Sequence, residues 1–582
     1  MGGLTGSLFS EFAFTLVAAV LVSMLVALTL SPMLSARVLK QNPPHGWARL
    51  VDERFEALRA RYIRLLHASL DYLPAIWLFA AVMLASVYFL FTSTKQELAP
   101  QEDQGIIFVA GIAPPTATTR YLRTYGLQII HDFEQFKVYD KSFMITGFSP
   151  TGAGSNQMMA GMHLVPWSKR SITTMKLQPI IQKKVSHIAG LQLAVFQRPS
   201  LPGSAGGPPV QFVIQGSAGY RKIDAVADRL VGIAQRSGLF AYVAKDLRYD
   251  DPQIVMHIRR SMAAALGLNM QTIAANLQPL LSGNYINRFD LKGRSYEVIP
   301  QVSDRFRADA GLLKNFYLQA GGHMIPLSTV VSLTTKVEPQ YLPQFDQLNS
   351  ATIQAVPMPG VTMGQALSYL RVQARRIFPQ GFTINYASES RQFMHARNGL
   401  LLTFFLAILL IYLLLAAQFE SFRDPLIVMV TVPMSISGAL IFLSLGLGTI
   451  NIYTEVGLIT LIGLITKQGI LIVQFANEAQ RHEGLSKREA VEKASSIRLR
   501  PILMTTAAMV VGVIPLLLAT GPGAAARFAL GLVIFTGLSL GSLFSLFVVP
   551  AMYMLLGKDH RGDDADHGAT GGDGQGALPR PE

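Results

Sequence analysis

The 582-residue chain has no cysteine, three tryptophans and charged side chains at only 15% of positions. Without cysteine there are no disulfides, no thiolate metal sites and no thiol nucleophiles. Scarce charge with 50% apolar residues and a mean hydropathy of +0.34 argues against an ordinary soluble protein. What charge there is has a net value of +14. Nucleic-acid binding would want a basic soluble face interleaved with aromatic stacking groups, a pattern the sequence does not show. No nucleic-acid partner is expected.

The apolar residues are concentrated in seven runs: Phe12–Leu30, Leu73–Phe91, Leu400–Ala417, Pro425–Leu445, Gly457–Phe475, Pro501–Ala519 and Phe528–Leu556. Each approaches or exceeds the roughly 20 residues that cross hydrocarbon as a helix. Lys467 is the only charge in any of them. The expected fold is therefore a polytopic α-helical membrane protein of about seven spans, with a large α+β region between the second and third. Expected boundaries are a first span in 1–39, an amphipathic cytoplasmic helix in 40–72, a span at 73–93, the soluble region at 94–397, five spans in 398–556 and a disordered tail at 557–582.

Orientation follows from Lys and Arg in the short loops. Arg37, Lys40, Arg49, Arg54, Arg59, Arg61 and Arg64 follow the first span, and Arg481, Lys487, Arg488, Lys493, Arg498 and Arg500 follow the fifth. Both loops are read as cytoplasmic, meeting anionic headgroups, which puts the soluble region outside. Trp47, Leu50, Val51, Phe55, Leu58, Tyr62 and Leu65 recur at three- and four-residue steps, the pattern of a helix lying along the inner headgroup plane. No basic n-region precedes the first span, so it does not read as a cleavable signal.

In the soluble region the pattern alternates strand and helix. GIIFVAGI, a helical Tyr121–Phe136 and SFMITGF form one β-α-β unit; PVQFVIQG, a helix with Ile223, Val226, Leu230 and Ile233 on one face, and a β-rich stretch to Ile258 form a second. ATIQAVPM, a helix around Gln365–Ile377 and FPQGFTINYA close the region. Short strands and turns around 284–347 read as an inserted lobe.

The strings GLITKQGILIVQFANEAQRHEG and RLRPILMTTAAMVVGVIPLLLATG, the segment QFESFRDPLIVMVTVPMSISGAL, the PQEDQG after the second span and the hairpin GNYINRF together resemble the C-terminal half of a resistance-nodulation-division (RND) multidrug efflux permease of the hydrophobe/amphiphile type. The resemblance runs from about Met1 to about Leu556. It implies a trimeric inner-membrane permease of a Gram-negative bacterium, not an enzyme, with no cofactor and no resident metal. It implies proton/substrate antiport driven by the proton-motive force, small hydrophobic or amphiphilic substrates, a periplasmic adaptor and an outer-membrane channel that docks on the lobe near 284–347. The family's chains commonly carry an MGG-like string in mid-chain, so Met1 of MGGLTGSLFSEF reads as an internal methionine and the chain as a fragment lacking an N-terminal half.

Resemblance assigns Lys467, Arg498 and Thr505 to the proton relay, where the lysine pairs with two aspartates of the missing half. Residue chemistry alone supports a functional lysine, since an ammonium in hydrocarbon costs about 2.5–3.5 kcal/mol on lenient scales. No carboxylate lies in any of the seven runs, and Glu455 is about 18 Å of helix rise away. Alternatives are a snorkelling Lys467, a topology charge at Arg498, and a Thr505 bonded to its own helix. The resemblance also assigns Phe143, Ile145, Phe148, Met158, Met159 and Met162 to a substrate pocket, and Gly147, Pro150, Gly152 and Gly154 to a switch loop. Pro150 and Gly161 stand where the family often has aromatics. The three methionines leave open a Cu(I)/Ag(I) exporter, because thioethers suit soft metals, and a truncated chain leaves open a non-transporting fragment.

Overall fold

The computed structural model describes residues 3–38, 47–148, 155–202, 206–281, 283, 285–303, 306, 309–320 and 322–560. Met1, Pro150, Gly152, Gly154 and the end of the tail lie outside them. Three helices come first: α1 (Gly3–Val38), α2 (Trp47–Asp71) and α3 (Leu73–Ser93). The expectation for α2 needs refinement. Its inward stripe is Phe55, Tyr62, Leu66 and Leu70, while Leu50, Val51, Leu58 and Leu65 are exposed. Tyr62 donates to the Leu546 carbonyl (2.8 Å), and Arg488–Asp71 (2.7 Å) and Arg500–Asp52 (2.8 Å) ion pairs bind the helix to the bundle. A helix with two apolar stripes can dock on protein with one and meet lipid with the other.

The soluble region follows. Strands β1 (Ile106–Ile112), β2 (Tyr139–Thr146), β3 (Gln157–Leu164) and β4 (Gln192–Gln197) form an antiparallel sheet in the order β2-β3-β1-β4, backed by α4 (Thr119–Glu134) and α5 (Thr174–Val185). The predicted β-α-β unit is thus split, with β3 inserted between β1 and β2. Strand β5 (Val210–Gly216), α6 (Tyr220–Arg236) and β6 (Phe240–Lys245) repeat the plan in a second sheet.

Next come β7 (Asp251–Ile258), α7 (Arg260–Ala265), α8 (Met270–Leu281), the hairpin of β8 (Asn287–Leu291) with β9 (Arg294–Val298), the hairpin of β10 (Tyr317–Ala320) with β11 (His323–Pro326), and β12 (Val331–Glu338). The lobe expected near 284–347 therefore starts earlier. Strand β7 leaves the second sheet to pair with β12, from Asp251 opposite Glu338 to Ile258 opposite Val331, and Ile273 and Leu277 of α8 share a core with Leu318 and Val330. Strands β13 (Gln344–Phe345), β14 (Leu348–Pro357) and β15 (Phe382–Tyr386), with α9 (Met363–Ile377), complete the second sheet, where β14 lies between β5 and β6.

The remaining helices are α10 (Ser388–Phe419), α11 (Asp424–Met429), α12 (Thr431–Phe442), α13 (Ile452–Glu483), α14 (Lys487–Leu517) and α15 (Ala524–Leu556). Among the described residues seven segments are long and apolar enough to span a membrane, α11 and α12 together making one. Helix α15 is central and packs on α12, α13 and α14. Small residues permit this: a Cβ on Gly541 would stand 2.7 Å from the Ser435 Cβ, and the Ser435 hydroxyl donates to the Gly537 carbonyl (2.8 Å).

A short strap, residues 94–103, joins the two layers. Gln96 bridges Ile450 in parallel, Thr449 donates to the Glu97 carboxylate (2.5 Å), and Glu102, 9% exposed, accepts from the Ala526 amide (2.6 Å) at the start of α15. A carboxylate there satisfies amides that a helix N-terminus leaves free and meets the positive end of its dipole.

In the second sheet, Asp246 accepts from the amides of Thr352 (2.7 Å) and Leu247 (2.6 Å), and burial pushes its carboxyl up to about 6. Because the folded value lies above the ordinary 3.8, its favourable contribution is full below about pH 4 and fades as pH rises through about 6. Hydrogen exchange at β14 amides in the solubilised chain should show local stability falling across that window. Asp246→Asn, which keeps an acceptor oxygen, should flatten the dependence.

Candidate functional site

Lys467 lies midway along α13, about 22 Å from its start, on an exposed stripe with Gly463 and Gln474. Among the described residues it has no ion pair or hydrogen bond. Its neighbours in sequence are buried: Thr466 donates to the Gly463 carbonyl (3.2 Å), and Gln468 is 2% exposed. The predicted run thus has two sides, one carrying an unmatched ammonium and one carrying a matched amide.

The other two relay residues lie on α14, which begins at Lys487 and runs through Pro501, so Arg498 and Thr505 share one continuous helix. The Arg498 guanidinium carbon lies 3.4 Å from the Phe475 ring centroid of α13, and its buried Nε makes no hydrogen bond among the described residues. The aromatic face offsets part of the cost of the cation. The Thr505 hydroxyl donates to the carbonyls of Pro501 (2.9 Å) and Ile502 (3.1 Å) of its own helix, the alternative bonding considered from sequence. Helix rise relates the three. Phe475 is eight residues, about 12 Å, from Lys467, and Thr505 is about 10.5 Å from Arg498; with α13 and α14 antiparallel, Lys467 and Thr505 fall at one depth and Arg498 about two turns away.

At that depth is a cluster the sequence reading passed over. Gln468 Nε2 donates to Thr506 Oγ1 (2.8 Å) and Ser542 Oγ (2.6 Å), and Ser545 donates to Gln468 Oε1 (3.1 Å). All four side chains are buried. The signal was available as uncharged polar residues inside apolar runs, in TKQG, MTTAAM and LGSLFSLF, but attention to charge alone hides it.

The apolar surface in the first sheet is also re-drawn. Phe143 and Ile145 of β2 stand opposite Gly161 and Met159 of β3, which stand opposite Phe108 and Ala110 of β1. Phe108 packs edge-on against Phe143 (6.1 Å) and stacks with Phe196 of β4 (5.9 Å). This face is turned away from α4 and α5. Met158 and Met162 correct the sequence expectation: strand alternation sends them to the opposite face, into the core with Ile107, Leu122 and Ile181, at 2% and 0% exposure. They do not share a surface with Phe143. Phe148 is exposed, and Gly147, at φ +72°, turns the chain beyond β2. Phe108 and Phe196 were missed because they lie far in sequence from the glycine-rich stretch and join it only through sheet pairing.

Gly161, where an aromatic is often expected, has a steric reason here. A Cβ at this position would lie 2.3 Å from the Phe143 ring, which rests over the strand. A ring covering a strand glycine is a recurrent pairing in sheets.

Seven membrane-length helical segments among the described residues, a lysine embedded in one of them and two split α+β sheets hung between the second and third fit a polytopic membrane protein with the build of a transporter. Residues 1–557 match the AcrB/AcrD/AcrF family. The chain belongs to this family of RND permeases. It is 40% identical over 578 residues to an uncharacterized transporter of Haemophilus influenzae, aligned over 96% of this chain and 55% of the relative. It is 28% identical to multidrug resistance protein MdtF (96% and 55%) and to multidrug export protein AcrF (96% and 56%), both of Escherichia coli K12. The chain spans about half the length of the curated relatives it matches.

Gly161→Ala should displace the Phe143 ring and cost about 1–3 kcal/mol, the usual range for overpacking. The added substitution Phe143→Ala should recover most of that cost. Denaturant unfolding of the single and double variants checks this.

Proposed function

We propose that this chain is the C-terminal half of the inner-membrane permease of a proton-driven tripartite multidrug efflux pump, exporting hydrophobic and amphiphilic compounds as a proton/substrate antiporter. The observation that carries the reading is Lys467: a cation midway along a membrane-length helix, on an open stripe, without a partner among the described residues. Such a group calls for an anionic partner, and in this proposal an N-terminal half supplies two acidic side chains to it. Thr505 at the same depth and Arg498 two turns inward are its companions. With the basic loops cytoplasmic, the α+β region is periplasmic, and a trimer, an adaptor and an outer-membrane channel complete the assembly.

The apolar face of half-buried Phe108, Phe143 and Met159 and exposed Ile145 fits an apolar, shape-tolerant substrate site. Export of Cu(I) or Ag(I) is the weaker reading, because Met158 and Met162 are sealed in the core while Met159 lies on the other face. A surface triad of thioethers does not form.

In this proposal the chain without its other half does not pump. Supplied with that half in proteoliposomes, it should couple proton entry to drug export. Lys467→Ala should abolish export while leaving drug binding and thermal stability nearly unchanged; undiminished efflux by Lys467→Ala removes the lysine from the mechanism.

A further inference from the structure

We propose that Gln468 is a positioning residue that fixes the rotation and register of α13 and thereby the place of Lys467, an inference that rests on the proton-relay reading above. Gln468 is 2% exposed and its carboxamide engages both other helices, Thr506 of α14 at 2.8 Å and Ser542 of α15 at 2.6 Å, while accepting from Ser545 at 3.1 Å. Thr506 also donates to Ser542 (3.3 Å). Three of the four hydrogen bonds open to the amide are therefore made within the network. In a helix each residue advances about 100°, so Lys467 and Gln468 address adjacent faces of α13. The same pairing recurs on α14, where Thr505 adjoins Thr506. On each helix the residue of the network is next to the residue of the relay.

The network admits one register. Sliding α13 by one residue would bring to Thr506 and Ser542 either Gly469, which has no side-chain donor, or Lys467, which would bury an ammonium with no acceptor for its charge. Apolar contacts grade smoothly with small rotations; a buried amide does not, because each unmade bond leaves a desolvated donor or acceptor. A single buried polar residue that fixes helix register is an established device.

The charged groups around Lys467 are few. Helix α13 carries Glu455 and Glu478, about 18 and 16 Å away along the helix, with Arg481 and Glu483 farther on; α14 carries Arg498 and Arg500, the latter paired with Asp52, and its other charges lie between Lys487 and Lys493; α11 begins with Asp424, and α12, residues 402–419 of α10 and the apolar core of α15 carry none. The electrostatic partners of Lys467 are thus the acidic groups of the other half. An ammonium held close to a carboxylate lowers its proton affinity, so loosening α13 raises that affinity and moves the transport profile to higher pH.

The test uses the permease with both halves present, reconstituted in liposomes, reading substrate-coupled proton flux against pH alongside Tm. Gln468→Leu and the near-isosteric Thr506→Val should each move the midpoint upward by about one pH unit, the mark of a tenfold change in proton affinity. Thr506→Ser, which keeps the hydroxyl, should leave it in place. An unmoved midpoint in folded Thr506→Val, with or without a lower Tm, makes the network a brace only and overturns the proposal, and this variant decides the matter if Gln468→Leu fails to fold. Lys467→Ala in parallel separates the two readings: sustained proton flux withdraws the relay itself and this proposal with it, whereas an inactive Lys467→Ala with an unmoved Thr506→Val profile withdraws the positioning role alone.

Discussion

Hydrocarbon supplies no hydrogen bonds, and a polar group placed in it must find its partners in neighbouring helices. The centre of this bundle is organised by that constraint. The amide of Gln468, the hydroxyls of Thr506, Ser542 and Ser545, and the Ser435–Gly537 contact all lie where α12, α13 and α14 meet the central α15. The small residues of α15 are what bring the backbones close enough for bonds this short. Lys467 departs from this pattern: it stands on an exposed stripe of α13 and makes no ion pair or hydrogen bond among the described residues.

The strap at 94–103 extends the same logic to the boundary between layers. It pairs with the loop that starts α13 through Gln96 and Glu97, and with the first amides of α15 through Glu102, then enters β1 three residues later. Burial raises the Glu97 carboxyl while the Thr449 hydroxyl holds it down. A shift of either helix start therefore pulls on the first sheet through hydrogen bonds, with no flexible linker between them.

Legibility in the sequence divided along physical lines. The spans and Lys467 were plain, because a charge in a long apolar run violates transfer energetics whatever the fold. The beginning of the lobe was not, because β7 reads as a strand in either sheet and only its pairing with β12 decides where it belongs. Met158 and Met162 were placed with Phe143 because proximity in sequence suggested a common surface; the two-residue period of β3 sends them to the core. Phe108 and Phe196 required the opposite step, recognising residues remote in sequence as sheet neighbours. Gln468 was visible but silent, since a Gln beside a Lys carries no net charge to draw attention.

Helix α13 is held at three levels. Its start is tied to the strap, its middle to α14 and α15 by Gln468, and its end by Asn477, which donates to Asp424 (3.1 Å) and accepts from Tyr553 (2.5 Å), and by Gln480, which donates to Tyr553 (2.8 Å). A helix so fixed cannot turn about its own axis without breaking bonds to two or three neighbours at once. A force on Lys467 is then carried by α13, α14 and α15 as one body, and the motion open to it is a rigid displacement of that body rather than a local rotation. Because the strap joins the starts of both α13 and α15, such a displacement has a hydrogen-bonded route to β1 in the proposed mechanism. In the proposed mechanism, the stiffness that makes the bundle costly to deform is also what lets a charge on the open stripe of α13 act at the distance of the sheets.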